Sequence, residues 1–406
     1  YGDHRDLHKE YRRQRQMCIR DRFRRELVNF LAEVLPDDWN ALDAESHYSP
    51  SNLQFTKEMA TTLSEKGWLT MAWPEEYGGQ GRSILEQLIY REEMSYHSVP
   101  GSDLGTGAIS WVGPTLMIAG TDQQKKEHLP PIAKAERYWC TLYSEPGSGS
   151  DLASLQTSAL RDGDDFVVNG SKIWTSSAHI ADWGWLAART DPAAPKHKGV
   201  SLFMLDMKSP GVTVKPIYNM AGGHDFNEVF FEDVRIPAAN LVGEQNQGWY
   251  TLAVALDFER SGVGYSANCR KMLEAISDYA KAEKKNGKAL SEDPLIRNRL
   301  AERWIETEVS RWLSYRVAWM QSQGMVPNYE ASMSKMYGTE LTQRVANTAM
   351  KVIGMNGTLS HESERSPLAG AVQKMYLTSV SSTIAAGTSE IQRNIIAGRG
   401  LDLPKG

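Results

Sequence analysis

Between Arg137 and about Val242 the chain changes character, and that change constrains its fold more than any other feature. Short runs such as "SALRDGDDFVVNGSKIW", "GVSLFMLDM", "GVTVKPI" and "NEVFFEDVRI" alternate Val, Phe and Ile with polar residues. Asp-Gly, Asn-Gly and Pro-Gly punctuate them. This pattern predicts a small antiparallel β domain. On either side the apolar spacing is helical. "LQFTKEMATTLSEKGWL" and "SILEQLIYREEMSYHSV" precede it, separated by the loop "WPEEYGGQGR", and long amphipathic stretches follow Gly243. The expected architecture is multidomain α+β: an N-terminal all-α domain over 23–136, a middle antiparallel β domain over 137–243 and a C-terminal four-helix bundle over 244–406.

At 406 residues the chain can hold two or three domains. A net charge of -5 gives no reason to expect nucleic acid, and no apolar run reaches the roughly 20 residues that span a bilayer. Cys18, Cys140 and Cys269 share no short spacing, so neither a disulfide framework nor a zinc site is expected, and the cytoplasm is the default compartment. The first 22 residues are basic without an apolar core, and "MCIRDR" (Met17–Arg22) is similar to a translated sequencing-adapter read. Residues 1–22 are therefore read as non-native or disordered.

Common catalytic signatures are missing. Gly147-x-Gly149 is followed by Leu152 where a dinucleotide fingerprint needs its third glycine. No Walker A sequence, metal-type histidine spacing or G-x-S-x-G elbow occurs, and no metal ligands are assigned.

Three segments retain chemical interest. "YSEPGSGSDLASLQT" (Tyr143–Thr157) ends a strand in a tight polar turn that could cradle an anion or a polar ring edge, or simply be a turn. "NGSKIWTSSAH" sets Trp174 beside the hydroxyls of Thr175, Ser176 and Ser177. That suits a flat conjugated ligand, although strand tryptophans also fill cores. "AAGTSEIQRNII" opens a helix with Thr388 as N-cap, which is either an ordinary cap or a phosphate site. Farther along, "SEDPLIRNRL" starts a helix with Asp293 as cap and Pro294 at the first position; Ile305, Val309, Trp312 and Tyr315–Trp319 then form its apolar face.

Glu259 poses a separate question. In "WYTLAVALDFERSGVGYSANC" helical counting aligns it with Ala255, Leu256, Gly262 and Val263, an apolar stripe. A carboxylate there must be paired, neutral or used.

In this order and spacing, "SEPGSGSD", "KIWTSS" and "GTSEIQR" resemble the acyl-CoA dehydrogenase family, from about Phe23 to Pro404. The resemblance implies FAD, an acyl-CoA thioester and α,β-dehydrogenation: a carboxylate removes the α-proton while the β-hydrogen leaves as hydride to flavin N5. It implies cofactor contacts at Thr141, Tyr143, Ser144, Gly149, Ser150, Trp174, Thr175 and Ser176, with Thr388 and Glu390 contacting FAD at a subunit boundary. Ser150, Asp257, Arg260, Ala386 and Gly387 fall at substrate positions. An electron-transfer flavoprotein is the implied electron acceptor, and the implied assembly is a homotetramer or a heterotetramer with a second acyl-CoA dehydrogenase-like chain.

The departures are informative. Many members carry the catalytic glutamate before the Gly-Thr of the last motif, where this chain has Ala386. A minority carry it on the first bundle helix, at the position of Glu259, which is the expected base. Glu283 and Asn286 in "EKKNG" replace an Arg and a Phe that reach a neighbour's FAD. Lys351 and Met355 in "MKVIGMNG" replace a Gln and a Gly. The expectation is a base-bearing member of a heteromer. A non-catalytic partner subunit and an oxygen-using flavin oxidase are the alternatives. Small Ala385 and Ala386 leave room for branched or steroid-derived acyl groups.

Overall fold

The computed structural model describes residues 21–37, 39, 42, 47, 49–255 and 261–404 of the chain. Among these, the N-terminal part is helical: α1 (residues 21–34), α2 (Leu53–Glu65), α3 (Ile84–Tyr96), α4 (Gly113–Ala119) and α5 (Asp122–Ala133). Local chemistry sets two of the starts. Ser83 with Glu86 opens α3, and Thr121 with Gln124 opens α5, each as a reciprocal capping box.

The middle part is a sheet of β1 (Trp139–Leu142), β2 (Ser158–Asp162), β3 (Asp165–Ser176), β4 (Trp183–Arg189), β5 (Val200–Asp206), β6 (Val212–Ile217), β7 (Phe226–Pro237) and β8 (Leu241–Val242). The strand order is β6-β7-β3-β2-β4-β5-β8, with β1 also on β4. Pairing is antiparallel as expected, except that β4 has two parallel neighbours, β1 and β2. Alternation holds on β3 and β6 but not on β4 and β5, whose residues are buried on both faces. Trp185 and Ala187 of β4 join the core of the N-terminal helices, while Leu186 and Ala188 join the sheet's own core. A strand covered on both sides loses its polar alternation.

Helices return with α6 (Gly248–Ala255), α7 (Val263–Ala282), α8 (Pro294–Ser322), α9 (Tyr329–Ile353), α10 (Ala371–Ser382) and α11 (Ser389–Ile395). Asp293 caps α8 as predicted, accepting from Leu295 N–H at 2.8 Å. One expectation holds only in part and another fails. Of the apolar face foreseen for α8, Val317 and Ala318 are buried beside Thr307, Ser310 and Ser314, whereas Ile305, Val309, Trp312 and Trp319 are exposed. Small residues let α9 approach closely, with Ser314 Oγ and Ser334 Oγ at 3.1 Å. The single helix foreseen across Glu259 is also broken. Ser261 and Gly262 are non-helical, and Gly262 sits at φ +66°, where a right-handed helix cannot continue. No continuous helical stripe therefore runs from Ala255 to Val263.

His128 of α5 shows what full burial does to a titrating group. It is 1% exposed and packs edge-on against Trp139 and Trp183, and its Nδ1 accepts from Arg137 Nη1 at 3.1 Å. Burial, helped by the Arg137 charge, lowers its pKa to about 4. The unfolded chain, with an ordinary pKa near 6.5, then binds the extra proton first. Stability should fall by about 3 kcal/mol as pH drops from 6.5 to 4. Urea titrations at pH 7.5 and 4.5 should show this component, and His128→Gln should remove it.

Candidate functional site

The first two segments meet at the edge of the sheet. Thr141 lies on β1 opposite Trp185 of β4, and Tyr143 packs its half-buried ring on the helical core. Past β1 the chain tightens, because Glu145 and Ser148 exchange both backbone hydrogen bonds at 3.0 Å. Arg189 then braces the following turn through the carbonyls of Ala153 and Leu155 at 2.6 and 3.0 Å. A cleft of about 500 Å³ opens beside this turn, lined by Gly147, Ser148, Thr157, Gly170 and neighbours. The backbone at Gly147 and Gly149 faces open space, so a ligand can approach it without meeting a side chain.

The second segment is a bulge in β3. Register with β7 slips between Lys172 and Thr175, and the slip turns Trp174 outward at φ +60°, 58% exposed, with its ring edge on Phe226. A tryptophan held in left-handed backbone and in water costs roughly 1–3 kcal/mol of strain. The core alternative is thus excluded, and the exposed indole is free to cover a flat ligand. Asn227 is fully buried and holds the bulge in place, its Nδ2 donating to the Thr175 carbonyl at 3.0 Å.

These segments are joined directly. Ile173 N–H donates to the Ser144 carbonyl at 2.9 Å. Buried Lys172 donates to the Tyr143 carbonyl at 3.0 Å and to Glu145 Oε1 at 2.7 Å. Glu145 in turn accepts from the N–H groups of Gln156 and Thr157 at 2.6 and 2.9 Å. Burial pushes the Glu145 carboxyl up, but Lys172 and the two amides outweigh it and hold it below the usual range. Ser148 Oγ and Thr175 Oγ1 are buried with no hydrogen-bond partner. Unpartnered hydroxyls on both segments, open glycines and an exposed indole fit a planar ligand with polar edges.

The third segment lies on the bundle, and among the described residues no hydrogen bond ties it to the first two. Thr388 caps α11 as predicted, accepting from Ile391 N–H at 3.2 Å. Ala386 and Gly387 both have positive φ, +52° and +86°. Their carbonyls are held from behind: Gln392 Nε2 donates to Ala386 and Gly387 at 3.1 and 3.3 Å, and Lys335 Nζ to Gly387 at 2.7 Å. Because a trans peptide opposes its C=O and N–H, the Gly387 N–H points away from Gln392. Arg393 fixes the helix to α9 through Glu340 at 2.6 Å. Ser144 and Ser176 are half-buried, whereas Ser150, Ala386 and Glu390 are exposed.

Glu283 and Asn286 lie at a small exposed hairpin of β9 (Lys284–Lys285) and β10 (Lys288–Ala289). Asp257, Glu259 and Arg260 lie outside the described residues. Sequence reasoning missed Glu145, Lys172, Asn227, Lys335 and Gln392. One signal was present: Lys172 shares the inward parity of Phe166 and Val168 on β3.

The three parts of the chain match family models described as the acyl-CoA dehydrogenase N-terminal domain (residues 20–136), middle domain (140–234) and C-terminal domain (246–401). A relative from Mycobacterium tuberculosis, acyl-CoA dehydrogenase FadE26, is 37% identical over 95% of this chain and 97% of its own length. Acyl-CoA dehydrogenase IpdE1 of the same organism is 35% identical over 95% and 98%. Among solved structures, a chain of the Tcur3481-Tcur3483 steroid ACAD superposes with TM-score 0.87 at 34% identity, covering 96% of this chain and 98% of that one. A chain of the ChsE4-ChsE5 complex from Mycobacterium tuberculosis gives 0.86 at 35%, covering 95% and 98%.

Proposed function

The chain belongs to the acyl-CoA dehydrogenase family, and from that membership we propose that it is the base-bearing subunit of a heteromeric, FAD-dependent enzyme acting on a bulky acyl-CoA. The observation that carries the cofactor reading is the junction of the Tyr143–Ser150 turn with the Trp174 bulge, where two buried hydroxyls wait for partners. Ser144, Ser148, Trp174, Thr175 and Ser176 would hold the isoalloxazine there. Bound FAD supplies the acceptor for the β-hydrogen and its electron pair.

The chain's own residues do the proton chemistry. Glu259 takes the α-proton, a role that Ala386 cannot fill because it carries no carboxylate. Backbone N–H groups of the Ala386–Gly387 turn polarise the thioester carbonyl, which raises the acidity of the α-carbon. That task needs a rigid backbone rather than a side chain, and Gln392 and Lys335 supply the rigidity. An electron-transfer flavoprotein would be the partner that accepts the electrons.

Heteromeric assembly is supported by Glu283 and Asn286. An acid replaces the arginine that would reach a neighbour's pyrophosphate, and like charges repel. The exposed stripe of Ile305, Val309, Trp312 and Trp319 on α8 is the kind of face that another subunit covers. Two similar structures carry two-chain names, and one is named a steroid ACAD. Steroid-derived or branched acyl-CoAs are accordingly the substrates to test.

Flavin absorbance per chain tests the assembly. Protein purified alone should carry little flavin, and co-expression with a second dehydrogenase-like chain should restore it. About one FAD per chain in the isolated protein would overturn the partner requirement. Absence of flavin even in a stable heteromer would overturn the cofactor reading.

A further inference from the structure

Lys172 is 0% exposed and Glu145 is 8% exposed, so this ion pair is taken out of water almost entirely. Such a pair is poor value as a source of stability, because well-packed apolar residues of similar size commonly do as well or better. Its position is more informative than its energy. Glu145 directly follows Ser144, and Lys172 precedes Trp174 by two residues, which chain geometry limits to about 7 Å between Cα atoms. Two full charges therefore lie within a few residues of Ser144 and Trp174, with Glu145 itself lining the cleft, and their burial keeps solvent ions from screening them.

The hydrogen bonds are divided so that each member has its own backbone anchor. Lys172 holds the Tyr143 carbonyl at 3.0 Å, and Glu145 holds the Gln156 and Thr157 amides at 2.6 and 2.9 Å. The pair thus clamps both ends of the Tyr143–Thr157 loop onto β3. Removing one partner leaves the other with its own backbone anchor.

We propose that Glu145 and Lys172 are a positioning pair that holds the flavin loop against the Trp174 bulge and balances the charge behind the bound flavin. This rests on the FAD reading above. The two members should act on the flavin with opposite sign. In Lys172→Met the Glu145 carboxylate keeps its two amide donors but loses the lysine that offsets its burial; wherever it is ionised, a lone negative charge disfavours adding electrons. In Glu145→Gln the ammonium keeps the Tyr143 carbonyl, and a lone positive charge favours it.

The test measures flavin reduction potential in the assembled heteromer as a function of pH, because the lone carboxylate is ionised toward high pH and the lone amine is protonated toward low pH. It is paired with amide hydrogen exchange over residues 144–157 in the flavin-free protein. Expected are a lower potential in Lys172→Met, a higher one in Glu145→Gln, a double variant returning toward wild type, and faster loop exchange in Lys172→Met. Loss of a loop contact alone would move both single variants the same way. Shifts of the same sign, or none, in variants that hold flavin would overturn the pair's role while leaving the FAD reading intact. If Lys172→Met does not fold, the near-isosteric Glu145→Gln decides the matter by the sign of its shift. A wild-type heteromer that takes up no flavin would overturn the FAD reading instead, and unchanged loop exchange would then overturn the clamp as well.

Discussion

Replacing Glu259 by glutamine should lower kcat of the assembled enzyme by about 10³-fold, within the range removed with a general base. Flavin content should be unchanged, because the flavin-facing segments lie elsewhere in the chain. On the proposed function an α-proton must go to a base, Ala386 has no carboxylate to take it, and Glu259 is the candidate that the family resemblance implies. A second variant sharpens the test. Ala386 is exposed and already sits at φ +52°, so a longer side chain meets no packing there and adds little backbone strain. Ala386→Glu in the Glu259→Gln background should recover part of the lost rate. Turnover untouched by Glu259→Gln would mean that this chain supports a partner's site rather than its own.

The largest structural effect is expected at Glu92. Its carboxylate, 6% exposed, accepts from Arg24 Nη2 at 2.5 Å, Arg311 Nε at 2.6 Å and the Tyr315 hydroxyl at 2.7 Å. Burial pushes its pKa up, but hydrogen bonds from Arg311 and Arg24 outweigh that and hold it below the usual range. Arg24 also pairs with Glu93. One residue of α3 thereby connects α1 to α8. Glu92→Leu would leave two arginines facing an apolar side chain and should cost about 3 kcal/mol. That is the low end for breaking a buried pair, because the arginines keep 28–29% exposure. Denaturant unfolding measures this, and a loss under 1 kcal/mol would mean that water replaces the lost partner. Arg311→Leu in the same background should cost less than it does alone, since the charge it removes is already unpaired.

The three motifs were legible as motifs, but their connection was not. "SEPGSGSD" and "KIWTSS" are separated by strand and turn, and neither reveals that Lys172 reaches Glu145 or that Asn227 holds Thr175. The outward turn of Trp174 depends on a register slip against β7, which involves residues more than fifty positions away. Periodicity marked α8 as amphipathic but assigned its face only in part: Val317 and Ala318 are buried, whereas Ile305, Val309, Trp312 and Trp319 are exposed. Counting apolar residues assumes that the apolar side is inward, and that fails where the inner contact is made by small serines and large apolar side chains are left exposed.

The sequence by itself determined what depends on a few neighbouring residues. That covers the helix–sheet–helix order, the caps at Asp293 and Thr388, and the identity of the residues available for chemistry, including the missing acid at Ala386. Hydrogen bonds within three or four positions and side-chain periods of 2 and 3.6 fix such features before any long-range contact forms. Only the tertiary structure decided which face of α8 is covered, that the helix expected through Glu259 breaks at Gly262, and that Lys172 is buried on Glu145. Those outcomes depend on which surfaces meet, and burial has no direction along the chain.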